Sequence, residues 1–479
     1  MGSRHHVVVV GSGFGGLFAT KALKRADVDV TLISKTTHHL FQPLLYQVAT
    51  GILAQGEIAP PTREVLARQA NARVVLGEVS ALDLDARTIT SDIQGRVHQL
   101  SYDSLIVAAG AGQSYFGNDH FADYAPGMKT IDDALELRGR IFGAFELAEL
   151  AETKEELERY LTFVVVGAGP TGVEMAGQIA ELAHKTLRRD FRSFDPRQAR
   201  VVMVDAAPQV LPPFGAKLGA VAQRSLEKRG VEVLLGGIVT TVDQLGIELQ
   251  HKDGTTTRIE AATKVWAAGV QASPLGKLLA EQTGAQLDRA GRVAVNPDLT
   301  LPGYPEVFVI GDMMALDNLP GVAQVAIQGG KYAAKTIVRR VDQKAPPAPF
   351  SYFDKGSMAT ISRFSAVALV GRLRLTGLIA WLMWLVIHLL YLTGFKNRFT
   401  ALLHWLVTFV SNSRSERTAT AQQIYARLAI GRLEGGTASV ASSPAHWNEL
   451  RAELEERAAE ETRLTDSGQR GSRAEAHAP

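Results

Sequence analysis

Cysteine is absent from all 479 residues of the chain. This excludes disulfides, thiolate metal sites, cysteine nucleophiles and CxxC redox chemistry. A large net charge is missing too, because 51 Lys and Arg balance 49 Asp and Glu for a formal charge of +2. Such a balance gives no general sign of nucleic-acid binding. We therefore expect no nucleic-acid partner, and other partners must be identified from local features.

The sequence also lacks a recognisable leader and a recognisable metal site. Residues 1–6 lead directly into the apolar run of residues 7–10, which leaves no room for a cleavable signal. We therefore expect by default a protein that resides in the cytoplasm of a bacterium. No cluster has the spacing of metal ligands, and His38 and His39 are expected to cap or pack rather than ligate.

Glycine, in contrast, is concentrated in two turns that each follow a short apolar strand and precede a helical pattern. In this fingerprint the first glycine makes a tight turn, the second lets the backbone approach a pyrophosphate, and the third lets helix pack on strand. The glycines concerned are Gly11, Gly13 and Gly16 in the first turn and Gly167, Gly169 and Gly172 in the second. Two dinucleotide-binding folds are therefore predicted.

The two folds differ at the residue that would bind the ribose. A carboxylate is expected at the end of the second strand, but the first fold has Ser34 and Lys35 there. In the second fold, Asp205 ends the strand of residues 201–204. A carboxylate accepts hydrogen bonds from both ribose hydroxyls and repels a 2′-phosphate, so the second fold should prefer NADH to NADPH.

Three later strands indicate how the folds are connected. Residues 105–110 and 265–269 end in small residues, with Gly110 and Gly269 last, and each looks like a strand that closes its domain. A strand at residues 307–310 leads into Gly311-Asp312 and suggests that the chain returns to finish the first domain. We predict an α/β protein with two Rossmann-like domains, the second inserted in the first: 1–125 with 285–345, and 126–284.

The C-terminal region, residues 346–425, has the composition of a membrane anchor. Residues 375–395 and 399–413 carry no Asp, Glu, Lys or Arg. Between residues 351 and 427, nine Lys and Arg stand against two Asp and Glu, a pattern that suits an anionic lipid surface. The basic residues that flank the apolar runs are Arg372, Arg374, Lys396, Arg398 and Arg414.

This region allows two modes of attachment. About 20 uncharged residues are enough to cross a bilayer. However, aromatic residues and a histidine recur at three- and four-residue steps, which is typical of an interfacial helix: Trp381, Trp384, His388, Tyr391 and Phe395. The second apolar run has the same spacing at Trp405 and Phe409. We favour helices that lie on the membrane. In the tail, 426–479, residues 447–463 are predicted as a charged helix and the rest as disordered.

The two fingerprints followed by a Gly-Asp pair resemble the layout of the glutathione-reductase-like superfamily, in which that Asp binds the ribityl chain of FAD. Its disulfide reductases and sulfide:quinone oxidoreductases need cysteines, which this chain lacks. A closer resemblance is carried by residues 39–47 (HLFQPLLYQ), Gly172-Val173-Glu174, Gly311-Asp312 and the AQVAIQGG segment at 323–330. Over residues 5–425 the chain resembles type II NADH dehydrogenase, the single-subunit NADH:quinone oxidoreductase, most closely in its actinobacterial form.

The resemblance implies a respiratory flavoenzyme that passes hydride from NADH to non-covalent FAD and reduces a membrane quinone, menaquinone or ubiquinone, without pumping protons. It also implies attachment to one leaflet and a homodimer. The implied residues are Glu174, Gln324 and Gln328 for catalysis; Gly11, Gly13, Gly16, Ser34, Lys35, Gln42, Pro43, Gly110, Asp312 and Gln324 for FAD; Gly167, Gly169, Gly172, Glu174, Asp205 and Gly269 for NADH; and Tyr46, Gln324 and Gln328 for quinone.

Other interpretations stay open at the level of sequence. Glu174 could complement a helix N-terminus, the two glutamines could be solvated, and residues 41–47 could be simple core. The whole chain could instead be a soluble NADH-dependent flavin reductase acting on a ferredoxin-like protein, or a non-catalytic protein that binds both nucleotides. The basic, tryptophan-bearing apolar segments speak against the first rival, and the AQxAxQ motif speaks against both.

Overall fold

The computed structural model describes residues 4–93, 95–411 and 413–420, with the backbone alone at Phe395. The predicted tail 426–479 and its helix at residues 447–463 lie outside the described residues. Within the described residues, strands and helices alternate through the first part of the chain, and two helices end it.

The strands of the described residues are, in chain order, β1 His5–Val10, β2 Val28–Ser34, β3 Ala72–Leu76, β4 Glu78–Asp83, β5 Thr88–Ile93, β6 Arg96–Ser101, β7 Ser104–Val107, β8 Ala111–Gln113, β9 Thr162–Val166, β10 Arg200–Asp205, β11 Val231–Leu235, β12 Ile238–Val242, β13 Gly246–Gln250, β14 Thr256–Glu260, β15 Thr263–Trp266, β16 Val270–Ala272, β17 Val293–Ala294, β18 Thr300–Leu301, β19 Tyr304–Val309, β20 Met314–Ala315, β21 Ser357–Ser362, β22 Ser365–Val370 and β23 Leu373–Thr376.

The α-helices are α1 Phe14–Ala22, α2 Leu45–Ala49, α3 Gln55–Ile58, α4 Thr62–Leu66, α5 Ile131–Glu149, α6 Lys154–Tyr160, α7 Pro170–Glu181, α8 Gly215–Glu227, α9 Leu275–Thr283, α10 Ala323–Val341, α11 Gly377–Tyr391 and α12 Phe395–Ser411. Short 3₁₀ helices include Gln42–Leu44 and Gly311–Met313, and a π-helical turn, Leu182–Thr186, extends α7.

The first large sheet has the strand order β18-β19-β7-β1-β2-β3. All of its neighbouring strands run parallel except β18, which pairs antiparallel with β19. The four valines of residues 7–10 are buried, as expected for a parallel strand that is covered on both faces. Because β7 pairs with both β1 and β19, it lies inside the sheet and does not close it.

The second large sheet has the order β11-β10-β9-β15, with every pair parallel. All of its strands lie between β7 and β19 in the chain, and β19 pairs with β7 in the first sheet. The prediction of two dinucleotide-binding folds, the second inserted in the first, is therefore confirmed. The residue numbers at which each domain begins and ends stay a prediction.

Helices α1 and α10 pack against each other beside the first sheet, and this contact positions the AQxAxQ segment. A Cβ atom added to Gly330 would lie 2.4 Å from the carbonyl oxygen of Gly15, so only glycine allows this approach of the two helices. Helix α10, which carries Gln324 and Gln328 in its first two turns, is therefore held directly against α1.

The C-terminal region differs from the prediction, because it begins with a three-stranded antiparallel sheet, β21-β22-β23, before its two helices. Strand β21 packs against α7 of the second domain, and α11 packs against β22. The small residues Ala359, Ala366 and Ala368 are buried in these strands and permit close packing. The helical region is thus joined to the nucleotide domains through a sheet that the sequence analysis did not predict.

Candidate active site

The first glycine turn lies between β1 and α1. Gly11 has a φ of +103°, and a Cβ there would meet the carbonyl oxygen of Ala108 at 2.3 Å. A Cβ on Gly16 would lie 1.9 Å from the carbonyl oxygen of Gly11, whereas a Cβ on Gly13 would meet nothing within 4 Å. Gly13 is also the N-cap of α1 and has no side chain with which to cap it. The backbone amides of the helix thus face a space suited to a phosphate.

The second glycine turn, between β9 and α7, repeats this geometry. Gly167 has a φ of +115°, a Cβ on Gly172 would lie 1.8 Å from the carbonyl oxygen of Gly167, and a Cβ on Gly169 would meet nothing within 4 Å. Gly169 is the N-cap of α7, and Pro170 occupies the first turn. Both turns therefore present an open backbone surface at a helix N-terminus.

Asp205 lies beside the second turn, at the end of β10. One of its carboxylate oxygens accepts a hydrogen bond from the backbone N–H of Ala168, and the other accepts one from the N–H of Ala207 at 2.7 Å. Each oxygen keeps a further lone pair that a ribose hydroxyl could use. Gly269 follows β15 with a φ of +75°, and Gln113 donates to its carbonyl oxygen at 2.7 Å.

At the end of β2, the first domain holds Ser34 and Lys35 where a carboxylate was expected. The Ser34 hydroxyl is buried and lies 2.8 Å from the Ser12 hydroxyl, so it ties the strand end to the first glycine turn. Lys35 points outward, with its Nζ 4.0 Å from Glu78 Oε1. The two neighbouring residues therefore face different environments.

Asp312 follows β19 in the turn Gly311–Met313 and is largely enclosed. Burial raises the pKa of its carboxyl, while Lys129 and Arg292 oppose that rise. Burial also lowers the pKa of Lys129. Gly110, at the end of the neighbouring β7, has a φ of +71° and open space at its Cβ position. Lys129 was not predicted as a site residue, since nothing in its surrounding sequence distinguishes it.

Residues 41–47 fold as a short 3₁₀ helix that contains Gln42 and Pro43, followed by α2. Phe41 and Tyr46 are buried. The Tyr46 hydroxyl lies 2.9 Å from Thr360 Oγ1 and accepts from Gln47 Nε2 at 3.0 Å, and burial raises the pKa of this phenol. The segment therefore connects the first domain to β21.

Glu174 lies on α7 beyond its first turn and is buried beneath β21. Its Oε1 accepts from the backbone N–H of Thr360 at 3.2 Å and from the Thr360 hydroxyl at 3.4 Å. Burial raises the pKa of Glu174 to about 8, and the two hydrogen bonds from Thr360 oppose that rise. A carboxyl with such a pKa is protonated at neutral pH and can act as a proton donor.

These contacts join into one hydrogen-bonded chain that reaches the last helix. It runs from Glu174 to Thr360 and Tyr46, then to Gln47, whose Oε1 accepts from Trp405 Nε1 at 2.6 Å. We refer to these five residues as the Glu174 chain. It links the second domain, the C-terminal sheet, the first domain and α12.

Gln324 and Gln328 lie in the first two turns of α10 and hold the extended segment 353–356. Gln324 donates to the carbonyl oxygen of Gly356 at 2.8 Å and accepts from the N–H of Lys355 at 3.1 Å. Gln328 donates to the carbonyl oxygen of Phe353 at 2.9 Å and accepts from its N–H at 3.0 Å. Both amides thus bind the backbone that leads into β21.

The three tryptophans of the C-terminal helices are turned inward, so the prediction that they belong to an interfacial face is wrong. Trp381, Trp384 and Trp405 are 5%, 1% and 1% exposed. The Trp384 ring stacks on His388 at 4.3 Å and lies 5.7 Å from Trp405. Apolar side chains, all aliphatic except Phe399, form the exposed face instead: Leu378, Ile379, Leu382, Val386 and Leu390 on α11, and Phe399, Leu402, Leu403, Leu406, Val407 and Val410 on α12. We call these residues the aliphatic face.

The basic residues around these helices also divide into two groups. Arg372, Arg374, Lys396 and Arg398 are exposed, as expected for residues near a lipid surface, whereas Arg414 is buried. Among the helices of the described residues, none combines the length and the apolar character that a membrane crossing requires. Helix α11 has 15 residues, or roughly 22 Å of helix, against a hydrocarbon thickness of about 30 Å.

Comparison with known proteins identifies the family of the chain and several of its relatives. The profile of the pyridine nucleotide-disulphide oxidoreductase family matches residues 5–330. The type II NADH:quinone oxidoreductases Ndh and NdhA of Mycobacterium tuberculosis are each 62% identical to this chain, over 90% and 91% of it and 93% of each relative. The type II NADH:quinone oxidoreductase of Staphylococcus haemolyticus is 31% identical over 78% of this chain and 92% of the relative.

Solved structures show the same fold. NDH2 from Plasmodium falciparum, in complex with NADH, matches 85% of this chain and 98% of its own with a TM-score of 0.78 and 21% identity. The sulfide:quinone oxidoreductase of Aquifex aeolicus matches 85% of this chain and 95% of its own with a TM-score of 0.65 and 19% identity. At such identities the likeness concerns the fold alone.

Proposed function

The chain belongs to the pyridine nucleotide-disulphide oxidoreductase family and, within it, to the type II NADH:quinone oxidoreductases, and from this premise we propose that it oxidises NADH and reduces a membrane quinone through bound FAD. One observation carries the proposal. Each of the two glycine turns presents open backbone at the start of a helix, and each follows a strand of one of the two large parallel sheets. The domain that contains the second sheet is inserted in the domain that contains the first.

FAD is proposed to bind in the first domain, at residues 1–125 and 285–345. Its pyrophosphate would lie against Gly11, Gly13 and Gly16, where the space beside Gly13 supports this assignment. The remaining proposed contacts are Ser34, Lys35, Gln42, Pro43, Gly110, Asp312 and Gln324. When bound without a covalent link, FAD supplies a ring that accepts two electrons from nicotinamide and passes them to quinone.

NADH is proposed to bind in the second domain, residues 126–284, at Gly167, Gly169, Gly172, Glu174, Asp205 and Gly269. Asp205 already accepts one backbone hydrogen bond on each oxygen. It would use its remaining lone pairs for the ribose hydroxyls. A 2′-phosphate would meet that carboxylate, so NADPH should bind more weakly.

Glu174, Gln324 and Gln328 are proposed to act on the quinone, together with Tyr46. Each glutamine amide uses one N–H and one oxygen lone pair on the segment 353–356. Its second N–H stays available for a quinone carbonyl. Glu174 would give its proton through the hydroxyls of Thr360 and Tyr46, which lie within hydrogen-bond distance of each other.

The region 346–425 is proposed to lie on the cytoplasmic side of the membrane. The aliphatic face is exposed on two adjacent helices, and the exposed residues Arg372, Arg374, Lys396 and Arg398 flank the apolar segments in the sequence. Apolar side chains would enter one leaflet while the cations meet anionic headgroups. As the family resemblance implies, we also propose a homodimer that does not pump protons.

The test separates the two half-reactions. The purified protein should show a flavin absorbance band that bleaches with NADH and recovers when a short-chain quinone is added. Replacing both Gln324 and Gln328 with Ala should slow the recovery and leave the bleaching intact. Lys335→Ala, an exposed position on the same helix, serves as the matched control. A colourless protein, or a flavin that ignores NADH, would disprove the proposed function.

A further inference from the structure

A small cavity lies where the C-terminal helices meet both nucleotide domains. Its walls include Tyr46 from α2, Trp384 from α11 and Phe409 from α12. The volume is about 20 Å³, which is enough for one group the size of a water molecule. The cavity is therefore large enough for a single oxygen atom of a ligand and too small for a ring.

The cavity wall contains several buried hydrogen-bond donors that have no partner. Arg414 Nε and Nη1, Arg363 Nε and Trp384 Nε1 make no hydrogen bond to any part of the chain that the structure describes. No buried side-chain acceptor of this wall lacks a partner within those same residues. The unpartnered buried side-chain atoms of this wall are thus donors that lie beside the carboxylate of Glu181, and they suit a ligand with oxygen acceptors.

Arg414 provides two of the four unpartnered donors found in this wall among the described residues. It is 5% exposed, and its one side-chain hydrogen bond to the described part of the chain runs from Nη2 to Gln178 Oε1 at 2.9 Å. Burial lowers its pKa, and the charges around it are mixed, because Glu181 and Tyr46 favour the cation while Arg363 opposes it. A buried guanidinium with two unused nitrogens costs stability unless something else binds it.

We propose that Arg414 binds a carbonyl oxygen of the quinone in this cavity, with Trp384 and Arg363 as further donors. The inference rests on the proposed function and adds a residue to it. Tyr46 and Thr360 line the same cavity, so the oxygen would lie beside the Glu174 chain. Trp384 of α11 and Phe409 of α12 also line the cavity, so it lies against the two helices that carry the aliphatic face, from which an apolar quinone would arrive.

The guanidinium would assist reduction as well as binding. In the net reaction, quinone gains two electrons and two protons; NADH provides the electrons and one proton, and the second proton comes from solvent. Negative charge that develops on the bound oxygen before its O–H bond forms would be stabilised by Arg414. A preorganised donor acts more strongly on such charge than on the neutral carbonyl.

The experiment uses the full-length holoenzyme and a short-chain quinone, with Arg414→Met, Arg414→Lys and Trp384→Phe. Arg417→Met is the matched control, since Arg417 lies on the same segment and pairs with Asp190 near the surface. Flavin reoxidation by quinone should slow about tenfold or more in Arg414→Met. Bleaching by NADH and reoxidation by ferricyanide should not change. Arg414→Lys should recover part of the rate, and Trp384→Phe should raise the KM for quinone.

Thermal unfolding distinguishes this role from a purely structural one. If Arg414 only stabilised the fold, Arg414→Met would lower the Tm. Because the substitution removes a buried and partly unpaired charge, the Tm of Arg414→Met should not fall. Reoxidation by quinone at the wild-type rate in Arg414→Met would overturn the inference. So would a lower Tm with equal losses of both half-reactions. A wild-type enzyme that bleaches but never reduces quinone would overturn the proposed function instead.

Discussion

The protonation of Glu174 depends directly on the way the chain folds. Its neighbours in sequence are those of a glycine-turn helix, but its hydrogen-bond partner, Thr360, is 186 positions away. Burial under that strand raises its pKa to about 8. The sequence pattern could identify the position, whereas its proton affinity arises from a distant contact that no local pattern contains.

This pKa predicts how stability depends on pH. The ordinary pKa of this carboxyl is 4.5 and its pKa in the folded protein is about 8, so between these two pH values the native state holds a proton that the unfolded state has lost. The contribution of Glu174 is therefore complete below about pH 4.5 and is lost as pH rises to about 8, with a slope of at most about 1.4 kcal/mol per pH unit. Glu174→Gln should remove that slope.

Denaturant unfolding of wild type and Glu174→Gln from pH 5 to pH 8 measures this difference. The variant should become more stable relative to wild type as the pH rises. Glu248→Gln is a useful control, because Glu248 is a partly exposed carboxylate of the second domain that bonds Thr241. If the difference between wild type and Glu174→Gln stays constant across this range, the pKa assignment fails.

Asp205 leads to a prediction about the choice of cofactor. Asp205→Asn keeps one oxygen acceptor but removes the charge that would repel a 2′-phosphate. We expect kcat/KM for NADH to fall about tenfold, since hydrogen bonds to charged groups contribute about 1.5–3 kcal/mol. The value for NADPH should fall less or rise. Steady-state kinetics with both cofactors give the ratio, and an unchanged ratio would contradict the assignment.

At the scale of elements, the sequence predicts the C-terminal helices but not which of their faces packs inward. The apolar runs predicted helices correctly. Both faces of α11 are apolar, however, so periodicity could not tell which face packs inward. The inward choice follows from contacts with other elements: Trp405 donates to Gln47, and Asn397 donates to the carbonyl oxygens of Gly56 and Glu57. Those partners lie more than 300 positions earlier in the chain.

The exposed aliphatic face predicts how the protein attaches to lipid. Ile379, at 67% exposure, and Leu382, at 49%, lie on this face of α11. The double variant Ile379→Glu with Leu382→Glu should bind vesicles at least about tenfold more weakly, because acidic side chains would have to enter the leaflet. Co-sedimentation with vesicles that contain anionic lipid provides the measurement.

A matched control distinguishes this effect from a general loss of hydrophobic surface. Val97, on strand β6, is 64% exposed and lies outside the C-terminal region. Val97→Glu should bind vesicles as wild type does. If the control and the double variant lose binding equally, or if neither does, the aliphatic face is not the membrane-binding surface.

At the scale of the whole molecule, the domain arrangement was predictable because its signals are local. Each glycine turn combines a strand, a tight turn and a helix within about 20 residues, and the late Gly-Asp pair indicates the return to the first sheet. The predicted family and fold are confirmed. The antiparallel sheets, such as β21-β22-β23, were not predicted, since their short strands carry only weak alternation and become stable through distant packing.

The Glu174 chain is a property of the assembled molecule, because its five residues come from four separate parts of the fold. If protons reach the quinone along it, Thr360 and Tyr46 act in series. Thr360→Val and Tyr46→Phe each remove one hydroxyl with little change in shape. Each variant should slow reoxidation of the flavin by quinone, and bleaching by NADH should be unaffected in both.

If the two hydroxyls act in series, removing the second slows reoxidation no further than removing the first. The double variant Thr360→Val with Tyr46→Phe should therefore be about as slow as the slower single variant. Independent roles would instead multiply the two effects. Tyr304→Phe, which removes an exposed hydroxyl bonded to Asp85, should leave the rate of each single variant unchanged when combined with it. Stopped-flow measurement of flavin reoxidation in all the variants distinguishes a series path from independent roles. A multiplicative double variant would mean that the protons for quinone reduction arrive by another route, and Glu174 would then act on NADH alone.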